Sequence, residues 1–428
     1  MDLLKKIFKG DRVIWIIYSL LCVISIIEVF SAASTLTYES GNHWLPIRQH
    51  VTMLAIGLAV VILFQHISCK GFKTIGLTLW PLSILLLFAV ITIGLITGER
   101  INGASRWMSL FGFQFQPSEL AKMSVIILTA YFLARFRGEN NIPGKKAFKF
   151  IAIIVIPICV LIAPENLSTA ALIAFVTYLM LIVGRMSSKI LLKITGIGIL
   201  ACTLFIGALY LVPSDTDLPL LHRLATWKNR VENFMGSEMI PPEQFDLDKD
   251  GQIAHANIAI ASSHIIGKGP GNSTQRDFLS QAFSDFIYAI IIEEFGLIIG
   301  AGGVVLLYLW LLIRVGRIAN KCKHPFPALM IIGVALMLVT QALINMMVAV
   351  DLIPVTGQPL PLISKGGTST IINSAYIGII LSISRYAQKK EQEDLNHQEE
   401  TTLGKEHEPF IEEYNTLEVE SIMNHEQK

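Results

Sequence analysis

Charge is scarce in this chain. Only 16% of its 428 residues are Asp, Glu, Lys or Arg, while 53% are hydrophobic. A soluble domain carries about a quarter charged residues, so this balance excludes an ordinary water-soluble fold. Net charge is nearly absent too, at +1, and no basic patch with interleaved aromatics occurs. The missing patch, rather than the net charge, argues against a nucleic-acid partner. Cysteine is sparse: Cys22, Cys69, Cys159, Cys202 and Cys322 show no CxxC spacing and fall in apolar runs or at their ends. They make neither a disulfide framework nor a thiolate metal site, and read as packing residues. No tandem repeat recurs, and no clear inverted repeat of interrupted apolar segments marks a transporter.

What the chain has in abundance is apolar runs long enough to cross a bilayer. They fall at 13–33, 51–67, 75–97, 120–134, 150–163, 169–183, 194–212, 286–313, 327–350 and 369–384. The first is no cleavable signal, because it is long, lacks a small-residue cleavage site and leads into further spans. With both termini in the cytoplasm, 21 Lys and Arg residues lie inside, and the short outer loops keep only Arg48, Arg100, Arg106 and Lys365. This obeys the positive-inside rule. The predicted fold is an all-α polytopic membrane protein of about ten transmembrane helices, with a long periplasmic loop between the seventh and eighth. Residues 1–12 form the cytoplasmic N-terminus and 13–388 the membrane domain, with outer loops at 98–118, 213–285 and 352–368. From 389 to 428 the chain turns polar and acidic, a composition that predicts a disordered cytoplasmic tail.

The most informative stretch runs from Ser284 to Gly296. Asp285 stands at the mouth of an apolar run, and Glu293 and Glu294 follow about 12–14 Å deeper at ~1.5 Å per residue. Acids at that depth are costly unless paired or lining a polar cavity, and by default mark function. Asp285 would also fit as a helix N-cap. Lys122, one turn inside the fourth run, reads either as a partner for Glu119 or as a substrate-facing cation. In the same outer loop Ser118 is placed to cap and Trp107 to anchor at the headgroups. Asn345 is a further polar residue within a span.

Two irregular segments stand out. Gly267 to Gln275 is a glycine-rich turn whose N–H groups could cradle an anion, with Arg223, Lys268 and Arg276 as nearby cations; a flexible turn is the plainer reading. Residues 352–368 hold three prolines and three glycines yet are too apolar for a solvated loop. They read as re-entrant, with Lys365 facing an anion or snorkelling to headgroups. Asp246, Asp248 and Asp250 match the start of an EF-hand calcium loop. Asn257 occupies the twelfth position in place of Glu, which leaves a hydrated acidic turn as the better reading.

Together these stretches resemble the SEDS family (shape, elongation, division and sporulation), which includes RodA, FtsW and SpoVE. The likeness covers nearly all of 10–388 and rests on Gly103–Trp107 with Gln116–Lys122, on Gly267–Gln275, on Asp285–Ala289 with Glu293 and Glu294, and on Pro354–Ser364 with Gly366–Ser369. It implies an inverting peptidoglycan glycosyltransferase that polymerises lipid II, the undecaprenyl-pyrophosphate disaccharide peptide, at the outer face of the bacterial inner membrane. It implies as partners a class B penicillin-binding protein and other divisome or elongasome proteins, and the overall likeness leans to the division type. Asp285 matches the acid regarded as catalytic; Trp107, Glu119 and Lys122 match other positions on which activity is thought to depend. Arg106, Lys122, Arg223, Lys268, Arg276 and Lys365 are candidate cations for pyrophosphate, with Mg2+ or Mn2+ as a candidate aid and no certain cofactor. Pro164–Thr169 departs from the family's pattern by losing a glycine and gaining a residue, and Lys365 stands where an aromatic is common. The rival readings are a lipid II flippase and a non-catalytic division scaffold.

Overall fold

The computed structural model describes residues 8–32, 44–97, 107–110, 113–138, 142–211, 227–228, 251–279, 282–393 and 396. Arg106, Arg223, Asp246, Asp248, Asp250 and nearly all of the acidic tail lie outside them.

The protein is all-α, apart from a two-stranded hairpin, and polytopic. Its helices are α1 (Arg12–Ala32), α2 (Trp44–Phe64), α3 (Cys69–Thr97), α4 (Pro117–Arg135), α5 (Lys145–Ile162), α6 (Leu167–Val183), α7 (Ser188–Leu211), α8 (Gly251–Ser262), α9 (Ile287–Phe295), α10 (Val304–Asn320), α11 (Pro325–Ala349) and α12 (Gly367–Glu393). Nine of the ten apolar runs expected to span fall on one helix each, and the eighth on α9, α10 and the turn between them. Among the described residues eight spans, with Ile287–Asn320 taken as one, are long and apolar enough to cross a membrane; α5 and α6 are apolar too.

Burial sorts these helices into a centre and a rim. The apolar windows of α4, α11 and α12 are 78%, 72% and 83% buried, whereas that of α7 is 0% buried. Side chains such as Ile197, Ile199 and Leu204 on α7 therefore face outward, as a lipid-facing helix requires, since a bilayer solvates hydrocarbon at no cost. The polar residues of α4 and α11 point into the centre. Among them are Glu119, Lys122, Gln341 and Asn345, all buried.

One expectation is corrected here. The eighth run is not one continuous helix: α9 ends at Phe295, Gly296–Gly303 forms a π-helical turn, and α10 follows. The cause is a backbone crossing. Gly267 (φ +87°) and Gly296 (φ +80°) lie back to back, and a Cβ on either would collide with the other strand's carbonyl or amide atoms. Only glycine fits such a crossing in that conformation. Lys268 N and Gly269 N then donate to the Glu293 and Glu294 carbonyls at 3.0 and 2.8 Å.

Candidate functional site

The site grows from the N-terminal end of α4. Gln116 is its N-cap and makes no side-chain cap bond, and Pro117 takes the first helical position. Ser118, expected to cap, sits inside the first turn, and its buried hydroxyl has no partner among the described residues. One turn on, Lys122 Nζ meets Glu119 Oε1 at 2.8 Å and Gln341 Oε1 at 2.9 Å, with 0% and 3% of the Lys122 and Glu119 side chains exposed. The pair expected from the three-residue spacing is made, and it is closed to solvent. Glu119 Oε2 and the nearby Tyr376 hydroxyl are left without partners among the described residues. Buried polar groups are nearly always satisfied, so such orphans ask for water or ligand.

Gln341 and Asn345 lie one turn apart on α11 and carry the site across to Asp285. Gln341 Nε2 donates to Pro359 O at 3.0 Å. Asn345 Nδ2 donates to Gln358 O at 2.9 Å and to Asp285 O at 3.0 Å. Two of these targets belong to the Pro-rich segment 353–366, which is irregular, half-buried at its ends and buried at Gln358 and from Leu360 to Ser364. Its carbonyls find side chains on the surrounding helices: Pro361 O takes Tyr308 Oη, and Ile363 O takes Ser25 Oγ at 2.6 Å. Gln358 Nε2 reaches Thr169 Oγ1 at 2.8 Å. Thr169 lies in the first turn of α6, which Asn166 caps by accepting from Thr169 N at 3.1 Å. The variant Pro164–Thr169 stretch thus supplies both a cap and an anchor. Non-helical backbone within an apolar bundle survives only where such partners exist.

Asp285 itself is half-buried in the turn before α9. The N-cap of α9 is Phe286, with no side-chain cap bond, so Asp285 stands one residue before the cap. Ser284 Oγ donates to Asp285 Oδ1 at 3.1 Å. The turn is tied to the Pro-rich segment by Ser364 Oγ, which donates to Ser284 O at 2.7 Å, and by Lys365 N, which donates to Phe283 O at 3.0 Å. Lys365 Nζ lies 5.5 Å from the centre of the Phe283 ring, a cation–π distance. Burial pushes the Lys365 ammonium below its ordinary pKa. Trp107 is half-buried at the start of the hairpin β1 (Met108–Leu110) and β2 (Phe113–Phe115). The hairpin's exit is joined to α12 where Gln116 N meets Thr368 Oγ1 at 3.3 Å.

Lys268, Arg276, Glu293 and Glu294 form a separate cluster. The glycine-rich turn does cradle anions, but they are the chain's own carboxylates. Glu294 accepts from Gly271 N (2.9 Å) and Ser273 N (3.3 Å), and from Ser31 Oγ on α1. Glu293 accepts from Thr274 N at 3.1 Å and pairs with Lys268 at 2.6 Å. Arg276 Nη1 donates to Ser31 Oγ and Gly271 O. With Lys122, three of the six candidate cations are therefore engaged inside the fold. The calcium-loop candidates Asp246, Asp248 and Asp250 lie outside the described residues; from Gly251 onward the chain is helical, and Asn257 hydrogen-bonds Asp351.

Several members of this framework escape sequence reasoning. Gln341 is one amide in an apolar run, with nothing nearby in sequence to single it out. Ser25 and His50, 2.7 Å apart, stand on two different spans and read as isolated polar residues. Glu28 sits fully buried on α1, and neither carboxylate oxygen has a partner among the described residues. Its signal is legible, as an acid inside an apolar run.

The family model described as cell cycle protein, covering FtsW, RodA and SpoVE, matches residues 11–389. The chain is 30% identical over 404 residues to the probable peptidoglycan glycosyltransferase FtsW of Enterococcus hirae, covering 91% of this chain and 96% of that one. It is 28% identical over 390 residues to the protein of the same description from Halomonas elongata, covering 88% and 92%. A chain from a structure describing polymerization and crosslinking by a peptidoglycan synthase complex matches with a TM-score of 0.68 at 23% identity, covering 88% and 98%. The rod shape determining protein RodA of Thermus thermophilus matches with a TM-score of 0.59 at 23% identity, covering 88% and 97%. At that identity the two solved structures show a shared fold.

Proposed function

The chain belongs to the FtsW, RodA and SpoVE family of cell cycle proteins, and on that premise we propose that it is a peptidoglycan glycosyltransferase polymerising lipid II. The setting is the outer face of the bacterial inner membrane, with both termini in the cytoplasm and a division role. Its cognate partner is a class B penicillin-binding protein. That pairing is supported by the fold relative that comes from a peptidoglycan synthase complex coordinating polymerization and crosslinking.

The observation that carries the reading is the link through Gln341 and Asn345. Two side chains one turn apart join the buried Glu119–Lys122 pair to the Asp285 turn. In the proposed reaction Asp285 accepts the proton of the attacking sugar 4-hydroxyl. The new bond forms from that oxygen to the anomeric carbon, and the bond from that carbon to the pyrophosphate oxygen breaks with its electron pair. Attack opposite the leaving group inverts the centre. Pyrophosphate departs without needing a proton, so one carboxylate suffices, unlike the pair used by glycosidases. Lys365 borders the Asp285 turn and would meet the developing charge; Lys122 would do so only on leaving its buried pair with Glu119. Among the described residues no group of three or more His, Cys, Asp or Glu could hold a metal ion, and the Asp285 turn offers a single carboxylate. Mg2+ or Mn2+ held by that one carboxylate together with the substrate's pyrophosphate would supply further positive charge to the leaving group; the steps above run through the chain's own residues.

The flippase reading draws on buried Glu293, Glu294, Asn345 and Lys122. Each has partners within the fold, which accounts for them without a translocation path. The test is Asp285→Ala, purified with its penicillin-binding partner and offered labelled lipid II. We expect an intact complex and no polymer. Undiminished polymer would reject Asp285 as the base. A wild-type protein that makes no polymer would favour a scaffold, and translocation without chain growth in liposomes a flippase.

A further inference from the structure

At the opposite end of the bundle from Asp285, a second polar cavity has no part in the reaction above. It lies between the last turns of α10, the C-terminal half of α12 and the residue preceding α1. Arg314, Arg317, Ile318 and Lys321 line it from α10 and its C-cap, Ser384, Ala387 and Gln388 from α12, and Asp11 closes it. Its volume is about 430 Å³, within the range of ~300–1,000 Å³ typical of small-molecule sites.

The spacing explains why the cations converge. Positions 314, 317, 318 and 321 follow i, i+3, i+4 and i+7, so one helical face presents all three charges to the cavity. Arg314 is fixed there by Asp11: its Nε lies 3.0 Å from both carboxylate oxygens, and its Nη2 lies 2.6 Å from Oδ2. Ser384 Oγ accepts from Asp11 N at 2.9 Å and pins that residue in turn. This fork leaves Arg314 Nη1 without a partner among the described residues. Arg317 is exposed and likewise unpartnered there. Lys321 pairs with Glu391 at 2.9 Å, with both side chains about half exposed, an arrangement that contributes little and exchanges readily.

Two ordinary explanations cover part of this. The cytoplasmic ends of spans collect Lys and Arg, and cations suit the C-terminal turn of a helix. Neither requires three of them to share one concave space with a carboxylate and a serine arranged to hold one guanidinium in place. Basic pockets between transmembrane helices on the cytoplasmic side are a recurring form of anionic-lipid site.

We propose that this cavity binds a phosphate-bearing anion, in the form of the headgroup of an anionic glycerophospholipid from the adjoining leaflet. Arg317 and Lys321 contact the phosphodiester, with Arg314 Nη1 beside them, and Gln388 supplies polar contacts to the rest of the headgroup. Glu391 is displaced from Lys321 on binding. The leaflet follows the charge-based orientation; the site does not depend on the proposed glycosyl transfer.

The test uses the full-length protein in detergent, titrated separately with dioctanoyl phosphatidylglycerol, dioctanoyl phosphatidylcholine, glycerol 3-phosphate and inorganic phosphate. The expected result is saturable phosphatidylglycerol binding that weakens at least tenfold in Arg317→Gln/Lys321→Gln, falls with added salt, and has no counterpart with phosphatidylcholine. Arg317→Lys/Lys321→Arg should retain it. Both positions are exposed, so both variants should keep the wild-type melting temperature, which is measured alongside. Equal binding of phosphatidylcholine, or full binding by the glutamine variant, overturns the site. Displacement of phosphatidylglycerol by equimolar inorganic phosphate or glycerol 3-phosphate overturns the lipid assignment in favour of a soluble phosphate.

Discussion

Lys122 and Glu119 face each other at 2.8 Å inside the bundle, and Lys122 is held from a second side by Gln341 at 2.9 Å. Removing one member strands the other charge away from water, a loss of about 3–5 kcal/mol. Replacing both with neutral side chains of similar size is far milder. Lys122→Ala should therefore unfold well below the wild type, while Glu119→Gln/Lys122→Met recovers most of that loss. If the cation also meets pyrophosphate, the double variant stays inactive in lipid II polymerisation despite its recovered melting temperature. A stable and active double variant would reduce the pair to a structural one.

Asn345 joins two backbone carbonyls, those of Asp285 and Gln358, from a single amide. Asn345→Leu leaves both without their donor, at about 1–3 kcal/mol for each buried group. The larger effect should fall on the position of Asp285, because displacing a reacting group by about 1 Å costs on the order of 100-fold. We expect turnover on lipid II to drop much further than KM rises. A variant that is less stable but turns over normally would show that this amide supports only the fold.

Which parts of this are legible in sequence follows from how far each interaction reaches along the chain. The spans announce themselves through local hydropathy. Asp285 and Lys122 stand out because each is a charge beside or inside an apolar run. The Glu119–Lys122 pair needs only three-residue spacing. By contrast, Arg276 meets Ser31 across 245 positions and Arg314 meets Asp11 across 303, and no local pattern marks either. Gly296 sits among phenylalanine, leucine and isoleucine and reads as an ordinary residue of a span; only its crossing with Gly267 reveals a break. The glycine-rich turn shows its chemistry, an anion cradle, in its own residues, but its anions lie on a helix about 20 residues further on.

That crossing yields a graded prediction. Gly296→Ala puts a methyl against the backbone at 265–267, and Gly267→Ala puts one against Glu294 O, both in a left-handed conformation. Gly271 also has positive φ (+79°), yet nothing lies within 4 Å of a Cβ placed there. Strain alone costs about 1–3 kcal/mol. Gly271→Ala should stay within that range, while the other two add a backbone displacement and lower the melting temperature considerably more. They should also loosen Glu293 and Glu294 from their N–H donors. Comparing the three melting curves decides it; equal losses would mean that the crossing is not close-packed.

Lys365 gives the pH dependence. Burial holds its pKa below lysine's ordinary value, which is about 10.4. Between the two values the unfolded chain binds more protons than the folded one, so stability rises with pH across that window. The penalty for burying the charge is present in full below the folded pKa. Activity should move the opposite way, because only the ammonium form can meet a departing pyrophosphate. Polymerisation should therefore decline on the alkaline side before ordinary lysine would titrate. Lys365→Arg, permanently charged, should shift that decline to higher pH. Lys365→Gln should abolish it and lower the rate at neutral pH by roughly 100-fold, the scale of losing one charge-stabilising donor. Rate profiles from about pH 6 to 11, a range that brackets the lysine window, check this for the three proteins, and an alkaline limb that survives in the glutamine variant assigns it to another group.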